Sequence, residues 1–274
     1  MLENPIGSGR LAEVWQAREP LAARHVAVKI FFDRVMQQFE MIRGDCKKQA
    51  SIEHERVVPI YYCHLDPEDS PGPYYIVTKL MQGSLAGLLR RRPKLPLDEA
   101  LPIIRDLIEG LTFAHDANII YREIKPANIL FDSAGRAALA DFGIAKYLTK
   151  SEGTNVLGTL MGTPEYMSPE QGEGRPLTKA SDIYSLGAVF YEMLAGKAPF
   201  DGPTDDAIII ARAKHDPPPL RQWIPEIPER LELVILRCLD RDVKHRYPDC
   251  DSLTRALDWA TKAPPAPPNR NVRR

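Results

Sequence analysis

From Ser181 to Gly196 the chain reads SDIYSLGAVFYEMLAG, apolar nearly all round. A helix without a polar face has no place at a surface, so this stretch predicts a helix buried through the middle of a lobe and closed by Gly196. Only a fold that wraps other elements around it can accept such a segment. A chain of 274 residues is long enough to supply them, as one large domain or two unequal lobes. Burial also singles out Asp182, because a carboxylate inside a core needs partners.

The pattern changes along the chain. HVAVKIF (25–31) and YYIVTKL (74–80) read as strands, with room for one helix over 34–52 between them. From about residue 84 the period turns helical. In LDEALPIIRDLIEGLTFAHDANII the positions Leu101, Ile104, Ile108, Leu111 and Ala114 recur at spacings of three and four, with Asp98 as expected cap and Pro102 in or near the first turn. DPPPL (216–220) predicts a rigid loop between helices, and the proline-rich 263–274 a disordered tail, so the folded part is expected to end near residue 262.

Hydrophobic residues at 44% and charged residues at 27% are ordinary for a globular protein, and the net charge of −1 argues against broad nucleic-acid or anionic-membrane binding. No run reaches the roughly 18 apolar residues of a membrane span, and MLENPIGSGR lacks the regions of a signal peptide. Cys46, Cys63, Cys238 and Cys250 are widely spaced, without a C-x-x-C pair, which predicts a reduced, cytoplasmic setting.

Two glycines in IGSGRLAEV (6–14) sit in a turn before a strand, where a backbone without Cβ atoms can approach phosphates. The pattern is common by chance. Lys29 in VAVK adds to it, although a lysine snorkelling from a strand edge explains that residue as well. The deciding constellation is YREIKPANIL (121–130), followed by ALADFGIAK (138–146), GTPEYMSPE (162–170) and SDIYSLG (181–187). With the glycine turn and Lys29, these segments resemble the Hanks-type protein kinases, particularly the bacterial Ser/Thr branch, over residues 4 to about 260.

The resemblance implies an α+β, bilobal kinase domain over 1–262, with a β-rich N-lobe (1–81) carrying one main helix and a mostly helical C-lobe (82–262). It implies Mg-ATP between the lobes and a protein substrate offering a Ser or Thr hydroxyl. Gly7 and Gly9 would cover the phosphates, with Ala12 in place of the third loop glycine, and Lys29 would hold the α- and β-phosphates. Ile6, Val14, Ala27 and Leu130 would sandwich the adenine, its edge bonded by the backbone of Lys79 and Met81, with Thr78 as a small gatekeeper. Asn128 and Asp141 would hold magnesium. Lys125 and Thr163 carry the Ser/Thr signature. Glu170 would pair with Arg246, Asp182 would bond the catalytic-loop backbone, and His115 would pack against that loop.

Two departures stand out. Where the family has H-R-D, this chain has Tyr121-Arg122-Glu123, and the extra methylene of Glu123 adds roughly 1.5 Å that misplaces the carboxylate. General-base help is worth about 10²–10⁴-fold, so a slowed enzyme is expected. The acid that pairs with Lys29 is Asp45 in the ungapped register, or Glu40 if the helix carries an insertion. Thr149, Ser151, Thr154 and Thr159 lie in the activation segment, where Arg122 would clasp a phosphate, and autophosphorylation at Thr154 or Thr159, with self-association, is expected. The rival reading is a nucleotide-binding pseudokinase that signals as a scaffold. No histidine and cysteine spacing points to zinc.

Overall fold

The computed structural model describes residues 1–9, 11–32, 39–65, 73–141 and 163–262. The N-terminal lobe is a five-stranded antiparallel sheet of β1 (Leu2–Ser8), β2 (Ala12–Glu19), β3 (Arg24–Phe31), β4 (Ile60–His64) and β5 (Tyr75–Lys79), ordered β1-β2-β3-β5-β4. The helix expected between the strands is α1 (Phe39–Ala50), which packs on β4. Its Ile42 and Cys46 join Ala12, Phe31, Leu65 and Ile76 in the apolar cluster of this lobe.

Two short strand pairings lead into the helical lobe. β6 (Gly83–Ser84) pairs with β7 (Ile129–Phe131), and β7 with β8 (Ala137–Leu139), the latter two forming the hairpin that follows YREIKPANIL. The hairpin turns where the Asp132 carboxylate accepts from the backbone N–H groups of Ala134 and Arg136, with Gly135 at φ 77°. The helices are α2 (Leu85–Arg91), α3 (Leu97–Asp116), α4 (Pro169–Gly172), α5 (Lys179–Ala195), α6 (Asp205–Lys214), α7 (Glu229–Cys238) and α8 (Cys250–Lys262).

The apolar segment that opened the argument is α5. Almost every one of its side chains is buried, and α3 and α7 pack against it. Thr178 and Ser181 form a reciprocal capping box at its start, and Gly196 at φ 79° closes it, its N–H donating to the Glu192 carbonyl at 2.7 Å. The proline-rich DPPPL does link two helices, α6 and α7, through a short 3₁₀ turn at Leu220–Gln222.

At the start of α3 the expectations need correction. The helix begins at Leu97, so Pro96 occupies the capping position and Asp98 lies inside the first turn. There its charge complements the helix dipole together with Glu99. Pro102 falls one turn further in than expected. The carbonyl it leaves without an intrahelical donor is that of Asp98, an exposed residue, so water can serve it.

Candidate active site

Strand register sets one wall. Lys29 faces Val14 of β2 and Ile76 of β5, while Ala27 faces Gln16 and Thr78. Side chains alternate along a strand and cross-strand partners share a face, so Val14, Ala27, Lys29 and Thr78 project from the same side of the sheet. Gly7 pairs with Val14, and the Gly9 N–H donates to the Ala12 carbonyl at 2.9 Å, closing the turn between β1 and β2. Ile6 is half exposed on β1, whereas Met81 and Leu130 pack together against Val58, Ala138 and Ala140. The Lys79 N–H donates to the Pro59 carbonyl.

The opposite wall is the loop from Tyr121 to Asn128, which is held from below. Asp182, 1% exposed in the first turn of α5, accepts from the N–H of Tyr121 at 2.8 Å and of Arg122 at 2.7 Å, and its Oδ2 lies 2.8 Å from His115 Nε2. These bonds sustain Arg122 at φ 73°, a left-handed conformation that a side chain disfavours. The Gln171 amide donates to the Arg122 carbonyl at 2.8 Å. Glu123 therefore follows a backbone fixed on both sides.

The side chains then converge. Asn128, 6% exposed, donates its amide to the Glu123 carbonyl at 3.1 Å, and its own carbonyl accepts from the Ala140 N–H at 2.8 Å. The Tyr121 hydroxyl donates to the Ala140 carbonyl. Ala140 is thus gripped through both its backbone polar groups, which positions the next residue, Asp141, beside Asn128. Asp141 itself sits at φ 61°. Its Oδ1 lies 2.8 Å from Lys29 Nζ, an ion pair that joins the sheet to the helical lobe. Glu123 Oε1 lies 2.5 Å from Lys125 Nζ, both side chains being mostly buried.

A second buried pair braces the site. Arg246 and Glu170 form two parallel bonds of 2.8 Å, and the guanidinium also donates to the carbonyls of Asp240 and Ala180. Burial alone would push the Glu170 carboxyl up; the Arg246 hydrogen bonds overcome that and hold it down at about 2. Thr163 precedes a 3₁₀ turn at Pro164–Tyr166, and its carbonyl accepts from the Tyr166 N–H.

Some expectations lie outside the described residues. These are the side chains of Glu40 and Asp45 on α1, the activation-segment residues Thr149, Ser151, Thr154 and Thr159, and the tail 263–274. Three contacts were missed by sequence reasoning. One is Gln171 reaching back to the catalytic loop; the others are Tyr166 donating to Glu192 at 2.6 Å and the fully buried Arg212 of α6 donating to the Pro164 carbonyl. Only the S-P-E-Q run, readable as a capping box, offered a signal for the first. A cavity of about 380 Å³ between α3 and α8, lined by residues such as His54, Phe113 and Leu257, contains none of these groups.

The donor set suits the expected ligands. The Asp141 carboxylate and the Asn128 amide oxygen, on backbones joined through Ala140, are hard ligands of the kind magnesium takes beside phosphate oxygens, with the Lys29 ammonium adjacent to Asp141 for the phosphates themselves. The sheet face above is small and apolar enough to receive a flat base.

A two-lobed α+β fold with a strand lysine ion-paired to a loop aspartate, beside an asparagine tied to the same loop, is the architecture of a protein kinase domain. Residues 1–256 match the protein kinase domain family, and the chain belongs to it. It is 34% identical to serine/threonine-protein kinase PrkC of Bacillus subtilis over 94% of this chain and 40% of that protein. It is 35% identical to PknA of Corynebacterium glutamicum over 96% of this chain and 56% of that protein, and 32% identical to PknB of Mycobacterium leprae over 88% and 40%. The chain thus spans about half the length, or less, of the curated relatives it matches. Among the described residues, no helix is long and apolar enough to cross a membrane.

Proposed function

We propose that this chain is a Ser/Thr protein kinase, taking Mg-ATP in the cleft and passing its γ-phosphate to a serine or threonine of a protein. The observation that carries the reading is the meeting of Lys29 and Asp141 at 2.8 Å, with Asn128 tied to the same strand end through Ala140. In this reading the kinase domain runs over 1–262, its lobes meeting near residue 81.

When bound, magnesium would supply positive charge that offsets the negative charge of the phosphates. Asn128 and Asp141 would hold that ion. Lys29 would leave Asp141 for the α- and β-phosphates, and Val14, Ala27, Leu130 and Ile6 would enclose the adenine against the backbone of Lys79 and Met81. Gly7 and Gly9 would let the first turn close over the phosphates. Lys125 lies two residues beyond Glu123 and can neutralise charge on the transferring group.

Glu123 is the residue on which rate depends. Its carboxylate is engaged with Lys125 at 2.5 Å and sits on an arm one methylene longer than aspartate's, which supports the reading of a slowed enzyme. Glu123→Asp shortens the arm by one methylene and returns the carboxylate toward the hydroxyl. Turnover measured with radiolabelled ATP on a generic basic protein should rise, within the roughly 10²–10⁴-fold range of general-base help. Background transfer by both proteins, matched by an Asp141→Ala control, would favour the scaffold reading, in which nucleotide binding alone carries the signal.

A further inference from the structure

Two of the four cysteines, separated by the loop and strand that follow α1, come together beside the cleft. Cys46 on α1 is 2% exposed and belongs to the apolar cluster of the N-terminal lobe; Cys63 on β4 is half-buried and packs against that cluster. The packing of α1 on β4 brings both into one apolar cluster. Each thiol also acts on the other's ionisation. Cys46 is pushed well up, first by Cys63 and then by burial, while Cys63 is lowered by Cys46, against the opposing effect of its burial. Lys29 and Asp141 both act electrostatically on Cys46, so the pair lies within reach of the ion pair that defines the cleft. The other two thiols contrast with these. Cys238 and Cys250 are buried in the helical lobe, where burial pushes each up to about 12.

We propose that Cys46 and Cys63 form a reversible disulfide through which peroxide weakens nucleotide binding. The half-buried Cys63 is the attacking group, since it is the one that oxidant can reach and the one favoured as thiolate. Its sulfur bonds one oxygen of hydrogen peroxide as the O–O bond breaks, and the departing hydroxide takes up a proton to leave as water. Cys46 then displaces the hydroxyl from the Cys63 sulfenic acid; the S–S bond forms, and the Cys46 proton leaves with that hydroxide as a second water. Two thiols lose two electrons between them, and one peroxide becomes two waters. Attack by an external dithiol reverses the change.

The geometry gives the direction of the effect. A disulfide holds its sulfurs at about 2.0 Å, well inside the contact distance of two free thiols, so α1 must be drawn toward β4. The sheet order places β5 between β4 and β3, so the pull is away from the strand that carries Lys29. Asp45, next to Cys46, and Glu40 ride on the same helix, and these are the acids the sequence offers to Lys29. Oxidation therefore removes support from the lysine that grips the phosphates. Loss of turnover follows only if the kinase reading holds, whereas the bond itself and the change in nucleotide affinity do not depend on it.

The test uses the full chain treated with hydrogen peroxide and then with dithiothreitol, beside Cys63→Ser. Non-reducing peptide mapping should find Cys46 linked to Cys63 with the loss of two hydrogen masses, and two of the four thiols should disappear. Mg-ATP binding, read by titration, should weaken roughly tenfold, equivalent to about 1.4 kcal/mol, and recover on reduction. Cys63→Ser should bind Mg-ATP as the reduced protein does and ignore peroxide. Absence of the Cys46–Cys63 peptide overturns the proposal. So does a protein that forms the linkage yet binds Mg-ATP as before, or a Cys63→Ser variant that loses affinity as the parent does. A protein that forms the linkage and loses affinity, but never phosphorylates a substrate, would uphold this inference and sink the kinase reading alone.

Discussion

Replacing Asp182 by asparagine keeps the side chain's shape and one acceptor oxygen but removes the charge. In the parent, two backbone N–H groups, those of Tyr121 and Arg122, each donate to a separate carboxylate oxygen at 2.8 and 2.7 Å, with His115 beside them. The asparagine amide can serve one of these donors, and its NH₂ must then confront the other. A hydrogen bond to a charged group is worth about 1.5–3 kcal/mol, and leaving a buried donor unmet costs about 1–3 kcal/mol, two descriptions of the same loss. The variant should therefore be about 2–3 kcal/mol less stable. At roughly 2–4 °C per kcal/mol for a domain of this size, the melting temperature should fall by about 4–12 °C. Since domains hold about 5–15 kcal/mol in all, the variant still folds. The strained φ of 73° at Arg122 then loses one of its supports, and Glu123, the next residue, moves with it. Differential scanning calorimetry, with Mg-ATP titration and substrate phosphorylation on the same samples, should show stability and turnover falling further than nucleotide affinity. An unfolding free energy within about 0.5 kcal/mol of the parent would refute the idea that this carboxylate holds the loop.

Acid should act through Glu170. Its carboxyl is held at about 2, below the ordinary 4.5, so the Arg246 pair contributes fully above that ordinary value and is lost as pH falls toward 2. In urea unfolding followed across that range, the gap between the parent and Glu170→Gln should close as the solution becomes more acidic; a constant gap would contradict the assignment. Gly110→Ala tests close packing on α3, because a Cβ there would lie 2.7 Å from the Arg56 carbonyl oxygen, a backbone atom that cannot swing aside. Overpacking of this kind costs about 1–3 kcal/mol, and thermal unfolding should show it despite alanine's better helix propensity.

What could be read from the sequence followed from strong local signals. The all-round apolar run became α5, the β-branched runs became β3 and β5, and the motif residues Lys29, Asn128 and Asp141 came together. Asp182, Glu170 and Arg246 also met their expected partners, because the ordered motifs carried those positions. The misreadings concern boundaries and distant contacts. The start of α3 was placed from Asp98, a common capping residue, but Pro96 fixes the extended backbone there and the helix begins directly after it. The approach of Cys46 to Cys63 depends on how a helix lies across a sheet, which residue spacing does not encode. Likewise Arg212 is a charged residue on the face that α6 buries beside Ile208 and Ile209, and only packing against the Pro164 turn reveals its place.

The hydroxyl of Tyr121 stands at the first position of the family's H-R-D motif, where the motif has an imidazole. A phenol this deeply enclosed is driven still further above its ordinary ionisation by burial, and by the negative charges of Asp141, Glu123 and Asp182. It keeps its proton at every acidity a living compartment reaches, so the clasp on Ala140 has no titration of its own. An imidazole in that place would gain or lose charge near neutrality. The Tyr121 contact is therefore indifferent to cellular acidification, and any pH response of this loop must originate in its other supports.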